Sequence, residues 1–298
     1  MKLPSKVKIR EVGPRDGFQS LKNFLPTEKK LKIIEALIQA GVNNIEATSF
    51  VSPKAVPQLK DAMYLMALVP RNDVTYSVLV PNLKGAQDAI ASNADELVVV
   101  ISASETHNQK NIHRTIGESL GDLEPIFKLS KEKCIPIIGA ISVSFGCPYE
   151  GNVPEKHVFR IVESCLSRGA SSIILADTTG MATPIRVHDI VRQFLSQYPE
   201  TELSLHFHNN RGTAIANLLT SLMEGVTTFD TSLGGIGGCP YVPQASGNLP
   251  TEDVVFMLED MGVSTGIDLE KLIEAAELLE NFLGHTLPGQ VMKSGPRK

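Results

Sequence analysis

SIILADTTGMATPIRVHDIVRQFLSQYPETELSLHFH, residues 172–208, reads as one complete β-α-β unit. A β-branched run (172–177) turns through Thr-Thr-Gly, a stretch of helical periodicity follows (183–199), and a second run closes the unit (203–208). A helix spliced between two strands brings them back parallel, because a tight hairpin is no longer available. The unit therefore predicts a parallel sheet with helices covering it.

The same design recurs in both directions along the chain. Strand-like runs lie at VKIREV (7–12), NIEATS (44–49), VTYSVLV (74–80), ELVVVIS (96–102), PIIGAISV (136–143) and TTFDTSL (227–233), making eight with the opening pair. Between them, TEKKLKIIEALIQAG (27–41) spaces Leu31, Ile34, Leu37 and Ile38 on one face, with Thr27 as its cap and Gly41 as its stop. PEKHVFRIVESCLSRGA (154–170) and TEDVVFMLEDMG (251–262) repeat that plan. Eight strands in strict alternation, with no linker-like change of composition, predict a single α/β domain over residues 1–298, a TIM (β/α)8 barrel. Residues 263–298 form a C-terminal helical extension in this reading, with an amphipathic helix over 267–283. A doubly wound open sheet is the competing architecture, but no strand leads into a GxGxxG helix entry.

Composition narrows the function classes. The chain has 298 residues, 42% hydrophobic and 20% charged, and a net charge of −5, which argues for a large core and against a nucleic-acid surface. No apolar run reaches the ~18 residues of a membrane span. The N-terminus enters a strand almost at once, leaving no room for a leader, and the four cysteines (Cys134, Cys147, Cys165, Cys239) contain no CxxC pair. Reduced thiols in a cytoplasmic protein are the expectation, with Cys134, Cys147 and Cys165 as structural residues.

Parallel barrels carry their chemistry where strands end and the following loops begin. On that rule GPRDG (13–17), Glu46, Asp177, the pair His206/His208 and the Gly-rich run from 234 to 248 share one rim. Residues two apart on a strand face the same side, so His206 and His208 present both imidazoles to one point. On spacing alone they are either metal ligands or hydrogen-bonded polar residues at the barrel mouth. Asp16, following strand one, adds a carboxylate at the same rim and favours a hard divalent ion such as Mg²⁺ or Mn²⁺ over zinc. Arg15 beside it either places a fixed cation at the site, its side chain diverging from that of Asp16, or pairs with Glu11 in solvent. Glu46 sits in an otherwise apolar strand, so it needs a partner, and Arg15 or the metal site offers one.

The ordered motifs EVGPRDG (11–17), IEATSFVSPK (45–54), SASETHNQKNI (102–112), FGCPYEG (145–151), ADTTGMATP (176–184), HFHNNRG (206–212) and GGCPYVPQASGNLPTED (237–253) cover nearly the whole chain. In them the sequence resembles the 3-hydroxy-3-methylglutaryl-CoA lyases, within the superfamily of metal-dependent lyases and Claisen-type synthases. The resemblance implies a divalent-metal-dependent retro-Claisen cleavage of a CoA thioester to acetyl-CoA and acetoacetate, the chemistry of leucine degradation and ketone-body formation. It also implies Asp16, His206, His208 and Asn248 as metal ligands, Arg15 as the group that stabilises the enolate, and Glu46 as its orienting partner. Asp177 would act as acid/base with His206, Cys239 would be the thiol of an active-site loop, and Glu252 a further catalytic carboxylate rather than a helix-start cap. Gln19, Lys22 and Asn23 would meet the CoA moiety, His107 and His113 would line its entrance, and a homodimer would be the assembly.

Three departures from the family pattern bear on the substrate. Phe18-Gln19-Ser20 stands where Leu-Gln-Asn is usual, Asn209-Asn210 where Asp-Thr is common, and Val242-Pro243-Gln244 replaces a smaller, Gly-containing pattern. A sibling lyase for a longer-branched or citramalyl thioester is therefore the alternative. A synthase and a non-catalytic barrel stand behind it.

Overall fold

A computed structural model describes residues 3–238 and 247–297. Eight parallel strands pair in chain order, and the last returns to the first, closing the barrel. They are β1 (Lys8–Glu11), β2 (Asn44–Ser49), β3 (Thr75–Leu79), β4 (Glu96–Ser102), β5 (Ile137–Ser142), β6 (Ser172–Asp177), β7 (Glu202–Phe207) and β8 (Thr228–Thr231). Five of the expected runs are shortened or displaced by a residue or two, because ladder pairing with both neighbours ends before the β-branched sequence does. His208 is the consequential case. It lies one residue beyond β7 and pairs singly with Asn248 in an isolated antiparallel bridge.

The helices are α1 (Thr27–Gln39), α2 (Ala62–Leu68), α3 (Leu83–Ala91), α4 (Glu105–Ile112), α5 (Ile116–Lys133), α6 (Glu155–Ser167), α7 (Pro184–Gln197), α8 (Ala214–Met223), α9 (Thr251–Asp260), α10 (Leu269–Leu283) and α11 (Val291–Ser294). Thr27 does not cap α1: it is already helical, and its hydroxyl donates to Asp61 Oδ2 at 2.7 Å. Gly41 does end that helix, at φ +95°. α10 starts at Leu269 rather than 267, because the Asp268 carboxylate accepts from the amides of Glu270 and Lys271. The short α11 is an addition to the expected extension. Cys147 and Cys165 are buried, but Cys134 is exposed at the left-handed C-terminus of α5 (φ 56°), so it does not belong to the core.

Strand alternation divides the core into two parts. Leu97, Val99, Ile137, Ile141, Ile173 and Leu175 face outward into the large cluster shared with the helices. Val98, Ile138, Ala140 and Ile174 form a separate cluster inside the barrel. They fill the β4–β6 side. Across from them, buried inward positions on β1, β2, β7 and β8 carry Arg10, Glu46, Ser204, His206 and Asp230. Half of the barrel interior is thus charged, and it lies directly beneath the rim where the motifs meet.

Candidate active site and metal centre

GPRDG forms a single π-helical turn, Gly13–Gly17, at the end of β1. The amides of Arg15, Asp16 and Gly17 all point back to the Val12 carbonyl, so consecutive side chains are thrown to the barrel mouth. Arg15 and Asp16 do not diverge as expected. Arg15 Nη1 donates to Asp16 Oδ1 at 2.6 Å while its Nε donates to Glu46 Oε2 at 2.7 Å. Glu11 is not the partner of Arg15. It is fully buried and accepts from the amides of Gly13 and Leu233 and from the Thr251 hydroxyl, which ties β1 to the loop after β8 and to α9. Burial pushes the Glu11 carboxyl up to about 7 against the pull of those donors.

Asp16, His206 and His208 offer one ligand atom each, all within 4.8 Å of one another. The two Nε2 atoms are 3.1 Å apart, and Asp16 Oδ2 lies 4.0 Å from that of His206 and 3.7 Å from that of His208. Burial, and then the neighbouring His206, depress His208 to about 3, so it presents a lone pair. Burial alone would raise Asp16, but the Arg15 guanidinium and the two imidazoles hold it at about 2. Asn248 joins the group through the donor side of its amide: Nδ2 lies 2.7 Å from Asp16 Oδ2 and 3.0 Å from the Ile236 carbonyl. Gly237 is required at this point, since φ is +112° and a Cβ there would lie 2.2 Å from Asn248 Nδ2.

Other expected site residues stand at varying remove. Asp177 is fully buried, and each of its oxygens accepts a backbone amide, from Met181 at 2.8 Å and Ala182 at 3.1 Å. Its burial outweighs those bonds and raises its carboxyl to about 6. Glu252 is buried at the start of α9, where Oε2 accepts from the Gly234 amide at 3.0 Å. Burial lifts it to about 8, so it is a neutral acid at pH 7 and not an electrostatic cap. Gln19 is partly exposed, while Lys22 and Asn23 are exposed on the loop before α1. His107 is buried with Nδ1 2.9 Å from the Ser102 hydroxyl, and His113 is exposed at the end of α4. Cys239 and residues 242–244 lie outside the described residues.

Two of the remaining departures are engaged in packing and in a helix start. Phe18 is 1% exposed and packs into the large core. Asn209 Oδ1 accepts from the Ala214 amide at the start of α8, at 3.3 Å, where an Asp would do the same.

Two residues of the site escape the rim rule altogether. Asp230 Oδ2 lies 3.3 Å from His206 Nδ1, and its Oδ1 accepts from Arg10 Nε at 2.9 Å and Nη2 at 2.6 Å. All three are buried, and β1 and β8 place Arg10 opposite Asp230 in register. Neither strand marks them as Glu46 is marked: β1 (KIRE) carries three charged residues, and Asp230 stands among threonines in TFDT.

The chain matches the HMGL-like family model over residues 6–279. It is 44% identical over 298 residues to the hydroxymethylglutaryl-CoA lyase YngG of Bacillus subtilis, covering 99% of this chain and 100% of that one. Identity to the mitochondrial hydroxymethylglutaryl-CoA lyase of Bos taurus is 45%, over 98% of this chain and 90% of the relative. Among solved structures, the B. subtilis HMG-CoA lyase superposes with a TM-score of 0.96 at 43% identity, covering 99% of both chains. An Acinetobacter baumannii HMG-CoA lyase in complex with coenzyme A and 3-methylmalate gives 0.94 at 44%, covering 99% of this chain and 96% of that one. Sequence match and fold agree over nearly the whole length, and the chain belongs to the HMGL-like family.

Proposed function

We propose that this chain cleaves 3-hydroxy-3-methylglutaryl-CoA to acetyl-CoA and acetoacetate with the help of a divalent ion held by Asp16, His206 and His208. The observation that carries this reading is the convergence of one ionised carboxylate and two imidazole nitrogens beside a half-buried guanidinium. The donor set fits such an ion: the two Nε2 atoms face one another at 3.1 Å with a carboxylate oxygen toward both, a concentration of lone pairs that a cation resolves. Asn248 is the fourth neighbour and would serve through its amide oxygen by turning over the amide whose Nδ2 faces Asp16. The mixed N/O set points to Mg²⁺ or Mn²⁺. Bound there, the ion supplies Lewis-acid polarisation of the substrate's hydroxyl and carboxylate oxygens.

The chain's own groups account for the remaining steps. The substrate alcohol is tertiary, so cleavage starts at oxygen. Asp177, raised to about 6, is matched to take the hydroxyl proton. The carbon–carbon bond then breaks, the hydroxyl oxygen becomes the ketone of acetoacetate, and the electron pair moves onto the acetyl-CoA thioester as its enolate. Arg15 has Nε and Nη1 committed to Glu46 and Asp16, so Nη2 remains to receive the enolate oxygen. Because both carboxylates hold the guanidinium, it is oriented before substrate arrives. Cys239 would return a proton to carbon, since both nitrogens of His206 are engaged, Nδ1 by Asp230 and Nε2 at the metal point.

Gln19, Lys22 and Asn23 would contact the CoA moiety. Phe18 is packed in the core and Asn209 is bonded to the start of α8, which supports the methylglutaryl substrate over a bulkier one. The free thiols Cys134, Cys147 and Cys165 suit a reducing, cytoplasmic setting.

The test is direct. Purified protein with Mg²⁺ or Mn²⁺, a thiol reductant and a panel of 3-hydroxyacyl-CoA thioesters should release acetyl-CoA from the methylglutaryl thioester. Release only from a citramalyl or longer-branched member would reject the substrate and keep the chemistry. Metal binding without cleavage of any member would reject the lyase reading.

A further inference from the structure

We propose that Asp230, oriented by Arg10, is a positioning residue that fixes the tautomer of His206 and thereby aims its Nε2 lone pair at the metal point. An ionised carboxylate can only accept, so the 3.3 Å contact to Asp230 Oδ2 assigns the imidazole proton to His206 Nδ1. The other nitrogen, Nε2, then carries a lone pair, on the side facing His208 and Asp16. Neutral histidines in water prefer the opposite tautomer modestly, and a metal ligand must not carry hydrogen on its ligating atom.

Arg10 makes this assignment directional. Both of its hydrogen bonds, from Nε and Nη2, end on Oδ1 of Asp230, which leaves Oδ2 alone for the imidazole. The carboxylate cannot rotate without losing the guanidinium, and Arg10 is itself only 5% exposed inside the barrel. The register sets Arg10 opposite Asp230 and Asp230 opposite His206 across three adjacent strands, so the array is built by closure of the barrel. Arg10, Asp230 and His206 form a relay of orientation in which each group has one available arrangement. The proposal rests on the reading that Asp16, His206 and His208 hold a divalent ion.

Asp230→Asn is the decisive change, because Arg10 would hold the amide oxygen and turn the NH₂ toward His206. That donor requires a lone pair on Nδ1 and moves the proton to Nε2, where it blocks the metal. The imidazole ¹⁵N shifts of metal-free, [¹⁵N]histidine-labelled protein at alkaline pH, assigned with His206→Gln, report the tautomer. Electron paramagnetic resonance of free Mn²⁺ reports affinity. Wild type should show Nδ1–H; Asp230→Asn should show Nε2–H and bind Mn²⁺ about 10- to 100-fold more weakly.

Adding Arg10→Met to Asp230→Asn should partly restore both readouts, since the amide can then turn its oxygen to the imidazole. A merely structural role predicts two additive losses instead. Nε2–H in the wild type, unchanged Mn²⁺ affinity in Asp230→Asn, or additive losses in the double variant each overturn the proposal. If Asp230→Asn does not fold, Arg10→Met alone decides: the freed carboxylate should keep Nδ1–H, and a switch to Nε2–H overturns the idea. A wild-type protein that shows Nδ1–H yet binds no Mn²⁺ removes the metal reading, not the tautomer assignment.

Discussion

Glu252→Gln should make the protein progressively more stable than the wild type as pH rises. The Glu252 carboxyl is buried at the start of α9, with Oε2 on the Gly234 amide and Oε1 without a hydrogen-bond partner among the described residues. The backbone of Gly289 closes over it, since a Cβ there would lie 2.0 Å from Oε1. Burial lifts its pKa from 4.5 to about 8, with backbone hydrogen bonds opposing and the charges of Asp253 and Glu11 adding. The folded state therefore binds a proton that the unfolded chain releases above pH 4.5. The sign follows: the stability associated with that proton is complete below 4.5, declines as pH rises, and is lost by about 8. Linkage puts the loss at about 2 kcal/mol by pH 6 and about 4 kcal/mol by pH 8, so about 2 kcal/mol accrues across that interval. Glutamine has the shape of the neutral acid and does not titrate. Urea unfolding followed by circular dichroism, for both proteins in chelator from pH 6 to 8, should show the difference in stability growing by that amount. In melting temperature it corresponds to about 3 °C. A difference that stays constant with pH would mean that Glu252 is ionised in the folded protein, and would refute the burial argument.

Arg15→Met should lower kcat by about 10²–10³-fold, as for removal of one oxyanion donor, while Mn²⁺ titration still shows binding; loss of metal instead would assign Arg15 to organising Asp16. Gly237→Ala should weaken Mn²⁺ binding about tenfold with the circular dichroism spectrum intact, because its Cβ would displace Asn248. Dialysis against a chelator should abolish acetyl-CoA release, and Mg²⁺ or Mn²⁺ should restore it; full activity after exhaustive chelation would contradict the metal reading. Asn209→Asp should raise stability by about 0.5 kcal/mol through its position at the start of α8, and leave Mn²⁺ affinity unchanged; a change in affinity would place residue 209 in the metal's surroundings after all.

Much of this protein is determined by local sequence. β-branched runs separated by amphipathic stretches specify parallel strands and covering helices, and two-residue alternation decides which side chains face inward. His206 and His208 share a point for that reason alone, even though His208 lies just past the end of β7. Asp16 could be placed at the same rim because loops after barrel strands all open on one end. What alternation cannot supply is register between strands distant in sequence. Barrel closure brings Arg10 opposite Asp230, 220 residues away, and sets Glu11 against Leu233 and Thr251. It also turns Arg15 and Asp16 toward one another and gives Asn248 its contact with Asp16. These pairings exist because buried charge must find a partner once water is excluded, and which partner is within reach depends on the shear of the closed sheet, a property of the whole barrel and of no single stretch of its sequence.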